Sequence, residues 1–298
     1  MWPFSKKTTI AASGTLAGAT DHHSHILPGV DDGVETMNEA LRILATYETL
    51  GIKELWLTPH IMEDIPNTPQ KLKARFDELK AAYKGNIKLH LAAEYMIDNH
   101  LHQQLQETNK LRHSSEGRWH EQSEVTEGSK APNAEGDKTS ESQGEILLIN
   151  NCPSCVRGAS NTVAEGDTPL LPIGTAGKHI LVETSYYNAP IRMNETLQQI
   201  KSMGYFPLLA HPERYIYLDN EEYLKLHNEG VKFQLNLASL AGGYGTTVKK
   251  RALWLLSNGL YSVAGSDLHC EEAIEFITKS GLSRQNIEEV KRLLQNRI

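Results

Sequence analysis

The chain has 298 residues, a formal net charge of −7 and a pI near 6.0. This acidic balance argues against a nucleic-acid-binding protein, which normally carries a basic stripe. No apolar run in the sequence reaches the roughly 18 residues that a membrane-spanning helix needs. The length is ordinary for a single α/β barrel.

The N-terminal segment does not have the pattern of a secretion signal. Lys6 and Lys7 precede a stretch, residues 8–20, that is small and polar where a signal peptide has an apolar core. We therefore interpret residues 1–19 as a loose N-terminal arm and residues 20–298 as one domain. The same pattern predicts a cytoplasmic protein.

A cluster of histidines and acidic residues opens the predicted domain. His23 and His25 are two positions apart, and Asp32 follows on the next loop. Because side chains alternate along a β-strand, residues i and i+2 lie on the same face. The spacing therefore predicts that both imidazoles can bind one metal ion, with Asp32 nearby.

Further along, short apolar runs repeatedly end in a residue that can bind a metal. These residues are His60, Glu94, Glu183, His211 and Asp267, with His269 two positions after the last. Continuous apolar runs of this length are typical of buried parallel strands.

Segments with helical spacing separate the apolar runs. They cover residues 36–50, 69–83, 191–203, 220–228, 247–257 and 283–296. Strands that alternate with helices predict an α/β fold built on parallel strands. In such a fold the carboxyl ends of the strands meet on one face, so the sequence predicts that the metal-binding residues converge there.

Six segments together resemble a known superfamily. They read HILPGVDDG at 25–33, TPH at 58–60, AE at 93–94, LVE at 181–183, AHPERY at 210–215 and GSDLH at 265–269. They resemble the polymerase-and-histidinol-phosphatase (PHP) superfamily. More narrowly, they are similar to its metal-dependent tyrosine-protein phosphatases of bacterial capsule and exopolysaccharide loci. The strings at 25–33 and 210–215 are the ones specific to that branch.

The resemblance implies a distorted (β/α)7 barrel, PHP- or TIM-like, with three divalent metal ions. Manganese is the expected metal, and iron or zinc also suit the donor set. It implies a first ion on His23, His25, Glu94 and Asp267. It implies a second ion on Glu94, Glu183 and His211. It implies a third ion on Asp32, His60 and His269.

The resemblance also implies that Arg214 binds the substrate phosphate. A guanidinium can bind two phosphate oxygens at once. Arg214 has an alternative interpretation as the salt-bridge partner of Glu213 or another acid. Some relatives would carry a further arginine after His269, but residues 270–273 contain none. Phosphate recognition would then depend mainly on Arg214 and the metals.

The expected reaction is hydrolysis of a phosphate monoester by hydroxide formed at the metal ions. Phosphotyrosine is a favourable substrate because its phenolate leaving group has a pKa near 10. The implied partner is a phosphotyrosine protein, a bacterial tyrosine kinase that controls polysaccharide synthesis. Three alternatives remain: a small-molecule phosphatase such as one for histidinol phosphate, a metal amidohydrolase, and a catalytically silent binding protein. The oligomeric state stays open.

The three cysteines do not support a cysteine-dependent phosphatase. Enzymes of that separate family carry an arginine six positions after the nucleophile. The corresponding residues after Cys152, Cys155 and Cys270 are Gly158, Asn161 and Phe276.

Residues 102–178 are predicted to be a long flexible insertion in the domain. Their Gly, Ser and Glu content buries too little apolar surface to offset the cost of ordering. A short apolar patch at 146–149 is a candidate strand or hairpin. The pair Cys152 and Cys155 is interpreted as a turn, with half of a zinc site or a redox pair as the alternative.

Overall fold

Parallel β-strands form the framework of the chain. A computed structural model describes residues 7–124 and 170–298, with side chains described for 7–111 and 170–298. The chain divides into two compact units. One comprises Met1–Glu107 and Pro169–Ile298, and the other Thr108–Thr168. The first unit holds every candidate site residue.

The strands of the first unit form two parallel sheets and one small antiparallel pair. The six-stranded sheet has the order β10-β9-β8-β7-β6-β4, and its strands are β10 (Tyr261–Gly265), β9 (Lys232–Asn236), β8 (Phe206–Ala210), β7 (His179–Glu183), β6 (Glu94–Met96) and β4 (His60–Ile61). The three-stranded sheet has the order β2-β3-β5, with β2 (Thr20–Asp21), β3 (Glu54–Leu57) and β5 (Lys88–Leu91). The antiparallel pair joins β1 (Thr8–Thr9) to β11 (Gly281–Leu282).

The chain passes from the small sheet to the large one at two places. The sequence predicted single strands that end at His60 and Glu94. Instead, β3 ends at Leu57 and β4 begins at His60, and β5 ends at Leu91 and β6 begins at Glu94. Both residues therefore begin a second short strand, and β4 pairs with β6 through them.

Helices lie between the strands, as the sequence predicts. They are α1 (Met37–Leu50), α2 (Pro69–Ala82), α3 (Asn99–Glu124), α4 (Met193–Ser202), α5 (Asn220–Asn228), α6 (Leu237–Ala241), α7 (Gly245–Ser257), α8 (Glu272–Thr278) and α9 (Arg284–Gln295). Their ends follow local chemistry. The Asp219 and Glu222 side chains form a capping box on α5, and Gly51 ends α1 with a φ of 86°.

The apolar core has two parts. The larger cluster packs the helices against the sheets. The smaller cluster joins Trp56 and Ala92 to Leu181, Leu208 and Val263, so residues from both sheets share one interior. The α/β class with parallel strands is confirmed. Closure of the two sheets into a (β/α)7 barrel stays a prediction.

The structure differs from the predicted loose arm between residues 8 and 19. Thr8 and Thr9 pair with β11, and Ile10 and Ala19 are buried in the main core. Although most of residues 8–19 are small or polar, a few apolar side chains among them, such as Ile10, pack into the core. The partner of β1 is the distant strand β11, and the local composition of residues 8–19 does not reveal that pairing.

The predicted insertion 102–178 is also shorter than expected at both ends. Helix α3 continues through residues 102–124, and Leu105 is fully buried. At the other end, Leu170 and Ile173 are buried, and the Thr175 backbone N–H donates to the carbonyl of Ile298 at 2.7 Å. Apolar side chains at these positions pack into the core and order the backbone.

Residues 125–169 lie outside the described part of the chain. They include the apolar patch at 146–149 and the pair Cys152 and Cys155. Within residues 7–124 and 170–298, no helix has the length and apolar character that crossing a membrane requires.

Candidate metal centre

All nine predicted metal ligands meet at one end of the parallel strands. His23 and His25 follow β2, and Glu183 ends β7. His211 directly follows β8, and Asp267 and His269 follow β10. Three overlapping groups bring donor atoms within 4.8 Å of one another. They are His23, His25, Glu94 and Asp267; His60, Glu94 and Glu183; and His25, Asp32, His60 and His269.

Two of these residues have an unusual backbone conformation. Among the described non-glycine residues, only His211 (φ 33°) and Asp267 (φ 53°) have positive φ. Such conformations cost free energy, and they persist where surrounding structure enforces them. His211 directly follows β8 and Asp267 lies two residues after the end of β10, so each sharp turn comes where the chain leaves a strand next to the cluster.

The first group is buried and has the spacing of ligands around one ion. His23 Nε2 lies 3.0 Å from His25 Nε2, 3.2 Å from Glu94 Oε2 and 3.4 Å from Asp267 Oδ1. Ligands about 2.0–2.2 Å from one ion lie roughly 3–3.5 Å apart. The group therefore fits a metal ion with no rearrangement.

The second group, His60, Glu94 and Glu183, shares Glu94 with the first, and His211 lies beside it. Glu94 Oε1 lies 3.2 Å from His211 Nε2, and Glu183 Oε2 lies 3.7 Å from the same nitrogen. His60 also takes part, because its Nδ1 lies 3.1 Å from Glu183 Oε1. A carboxylate that faces two neighbouring groups can bridge two ions.

The third group is the most exposed. Asp32 Oδ1 lies 3.4 Å from His60 Nε2 and 3.5 Å from His269 Nε2, and the Asp32 side chain is 63% exposed. His60 therefore uses one ring nitrogen toward Glu183 and the other toward Asp32. The resemblance to the PHP superfamily implied that His60 belongs to this third group alone.

The carboxylates and histidines of the cluster shift one another's pKa values. Burial would lower the pKa of His23, but the carboxylates of Glu94 and Asp267 raise it to about 9. Burial would raise the pKa of Glu94, but the neighbouring histidines hold it well below its usual range. Buried carboxylates stay ionised only where cations compensate them.

Several polar atoms of the cluster also lack a hydrogen-bond partner. Among the buried side-chain atoms that the structure describes, these include both Glu94 carboxylate oxygens and His60 Nδ1. Buried nitrogen and oxygen atoms without hydrogen-bond partners, in groups of three or four residues, are suited to bind divalent cations.

Three residues that the sequence did not single out hold the ligands in place. Asp31 Oδ2 lies 2.8 Å from His25 Nδ1, and Gln234 Oε1 lies 3.1 Å from His23 Nδ1. Asn236 Nδ2 donates to Asp267 Oδ2 at 2.7 Å. A partner on the far ring nitrogen fixes the orientation of a metal-binding histidine.

The sequence contains only a weak pattern that could have indicated these three residues. Asp31 stands inside the HILPGVDDG string. Gln234 and Asn236 are on strand β9, which was not predicted, and they alternate there with apolar Phe233 and Leu235. Buried polar residues at every second position of a short strand indicate a side that faces a polar site.

Arg214 lies at the edge of the cluster, in a short 3-10 helix (Pro212–Arg214) after β8. Its Nη1 donates to Asp267 Oδ2 at 2.9 Å, and its side chain is 14% exposed. Glu213, the other expected partner, is buried and instead accepts from the Asn236 backbone N–H and the Tyr261 hydroxyl. The nearby acid is therefore Asp267, which belongs to the cluster itself.

The chain is similar to a family of known proteins. The family model "Capsular polysaccharide synthesis, CpsB/CapC" matches residues 19–117 and 163–276. The chain belongs to this family. This confirms the resemblance that the sequence motifs predicted.

Relatives in this family cover nearly the whole chain. CapC of Staphylococcus aureus is 23% identical over 93% of this chain and 88% of its own length. The tyrosine-protein phosphatase YwqE of Bacillus subtilis is 24% identical over 88% of this chain and 82% of its own length. A solved structure from work on metal-dependent tyrosine phosphatases, YwqE of B. subtilis and CpsB of Streptococcus pneumoniae, has a TM-score of 0.61. Its sequence is 20% identical, and the match covers 92% of this chain and 93% of that one.

The matched residues include every candidate ligand and Arg214. Residues 118–162, which separate the two matched segments, fall inside the predicted insertion.

Proposed function

We propose that this protein is a metal-dependent phosphatase that removes phosphate from phosphotyrosine in proteins. The observation that carries the proposal is the placement of Arg214. A guanidinium held on Asp267 lies beside a buried group of histidines and carboxylates that fits divalent cations. A phosphate monoester needs both features, because it carries two negative charges and must be attacked by hydroxide.

The metal centre is proposed to hold three divalent ions, with manganese the expected metal. The proposed ligands are those of the three groups, with Glu94 bridging the first two ions and His211 completing the second. Divalent ions bound there would lower the pKa of water and neutralise the phosphoryl oxygens.

The chain's own residues would orient the substrate and the ligands. Arg214 uses only Nη1 in the hydrogen bonds recorded among the described residues. Its remaining N–H groups can bind two phosphate oxygens. Asp31 and Gln234 fix the rings of His25 and His23, and Asn236 fixes the Asp267 carboxylate. These contacts would keep the ligands and the guanidinium in fixed positions around a bound phosphate.

The proposed physiological substrate is a bacterial tyrosine kinase of capsule or exopolysaccharide synthesis. Family membership supports the link to capsule synthesis, and the relatives' names support the phosphotyrosine substrate. The side of the centre around Asp32 and His269 is exposed to solvent, with 63% and 32% of the two side chains accessible, so a protein substrate would approach from there.

Purified protein tests the proposal in one set of assays. Metal content is measured by elemental analysis, and kcat/KM is measured for a phosphotyrosine peptide, the matched phosphoserine peptide and histidinol phosphate. We expect bound divalent metal and a clear preference for phosphotyrosine. A preference for histidinol phosphate would identify a small-molecule phosphatase. Metal-loaded protein without any phosphatase activity would contradict the proposal.

A further inference from the structure

Two tyrosines flank the guanidinium of Arg214. The Arg214 Cζ lies 4.1 Å from the ring centre of Tyr186 and also 4.1 Å from that of Tyr244. Because two rings cannot overlap at this distance, Tyr186 and Tyr244 contact the guanidinium from different directions. Asp267 holds it from a third, through Nη1.

We propose that Tyr186 and Tyr244 are positioning residues, an aromatic clamp that presents the free edge of Arg214 to the substrate phosphate. A cation over an aromatic face is attracted by the ring, and the attraction grows where water is excluded. The contacts limit rotation of the guanidinium plane. A fixed plane matters because two-point phosphate binding requires a defined orientation. The clamp deepens the proposed function, on which its catalytic role rests.

The two rings are supported in different ways. Tyr186 is half-buried. Its ring stacks on that of Tyr215 at 6.3 Å, and Tyr215 stacks in turn on Tyr217 at 5.7 Å. Its backbone carbonyl accepts from the Ile216 N–H at 2.9 Å. Tyr186 is therefore fixed to the loop that carries Arg214.

Tyr244 is the exposed ring of the clamp. Its side chain is 40% exposed, and it lies between Gly242 and Gly245, which have φ of 102° and 89°. Side chains other than glycine rarely adopt these angles. The turn that brings Tyr244 over Arg214 therefore depends on its neighbouring glycines. The Tyr244 hydroxyl also interacts with the Asn236 side chain, which Tyr244→Phe removes while it keeps the ring.

The chain offers a matched control for Tyr244. Tyr187 follows Tyr186 directly, is 70% exposed, and has no ring contact with Arg214 among those recorded for the described residues. Tyr187→Ala removes the same side chain from a nearby loop without touching the guanidinium.

The test is a double-mutant cycle on metal-loaded protein, with inorganic phosphate as the binding probe and para-nitrophenyl phosphate as the substrate. Phosphate affinity is measured by calorimetry for wild type, Tyr244→Ala, Arg214→Ala and the double variant. We expect Tyr244→Ala to weaken phosphate binding about tenfold, the size of one partly desolvated cation–π contact. In the Arg214→Ala background the same change should have no further effect, since the two residues act as a unit.

Three further measurements decide between positioning and general structural support. Tyr244→Phe keeps the ring and should restore phosphate binding, whereas Tyr244→Leu should not. Metal content should equal that of wild type in every variant, and Tyr187→Ala should behave as wild type. Additive losses in the double variant, or equal affinity of Tyr244→Leu and wild type, would overturn the clamp. Phosphate binding is measured without turnover, so failure to cleave phosphotyrosine would sink the proposed function and leave this test readable.

Discussion

The metal centre has a buried half and an exposed half, and they are built differently. In the buried half, His23, Glu94 and Asp267 lie within a few ångströms of one another, and strand β9 holds two of them through Gln234 and Asn236. In the exposed half, Asp32 is 63% exposed and faces two histidines at 3.4 and 3.5 Å. Water can replace a ligand lost from the exposed half. In the buried half a lost ligand leaves uncompensated charge.

The largest expected effect is that of Glu94→Ala. Glu94 contacts both of the more buried groups, so its loss should remove more than one ion and abolish phosphatase activity. Elemental analysis and kcat on para-nitrophenyl phosphate measure both consequences. Glu288→Ala, an exposed carboxylate on α9, is the control and should match wild type. Full metal occupancy in Glu94→Ala would show that the carboxylate does not bind metal.

Arg214→Ala should lower kcat/KM by roughly 10²- to 10³-fold, the usual cost of removing one preorganised donor to a transition state. Metal content should stay that of wild type, because Asp267 keeps its bond to Asn236. Arg214→Lys should recover little, since an ammonium lacks the two-pronged geometry.

Arg292→Ala, on the surface of α9, controls for loss of a guanidinium. A Lys variant as active as wild type would assign Arg214 a structural role instead.

Gln234→Ala tests the support beneath the buried half. Removal of a partner that orients a metal-binding histidine typically costs roughly 10- to 100-fold in metal affinity or activity. We expect a loss in that range, measured by metal titration of the apo protein. Gln198→Ala makes the same chemical change on the exposed surface of α4 and should have no effect. An unchanged metal affinity in Gln234→Ala would mean that strand β9 packs against the site without tuning it.

Asp32→Asn should have a smaller and reversible effect. We expect about a tenfold weaker third ion, because water can take the vacated position at an exposed site. Excess manganese should then restore activity, which it should not do for Glu94→Ala. If both variants respond equally to added metal, the contrast between the two halves is wrong.

The smallest effect is expected from a shortened insertion. Replacing residues 112–169 with a Gly/Ser link of about a dozen residues, which spans roughly 20 Å, should leave metal content and small-substrate turnover near wild type. Replacing residues 107–177 should instead destabilise the protein by roughly 2–5 kcal/mol for each large buried side chain lost, because it removes Leu170 and Ile173. Thermal unfolding of the two variants measures the difference. If the two variants unfold at the same temperature, residues 107–111 and 170–177 do not contribute to the stability of the core.

Much of this site can be predicted from the sequence. Apolar runs that end in His or Glu, with helical spacing between them, predicted parallel strands and a common edge, because strand ends converge in such folds. The motifs around His25, His211 and Asp267 indicated the family. All nine predicted ligands meet in the structure. Glu183, His211 and Asp267 lie at or just after a strand end, which is a local pattern, whereas His60 and Glu94 begin short second strands and Asp32 lies on the loop between β2 and α1.

Contacts between distant segments were decided only by the tertiary structure. Strand β1 is ordered by β11 at the opposite end of the chain, and no local composition reveals that pairing. The breaks before His60 and Glu94 arise because β3 and β5 belong to one sheet while β4 and β6 belong to the other. Sequence fixes which residues can bind a metal. Long-range packing decides their burial, the partners Gln234 and Asn236 that orient them, and the two tyrosines beside Arg214, because those contacts join segments that only the folded chain brings together.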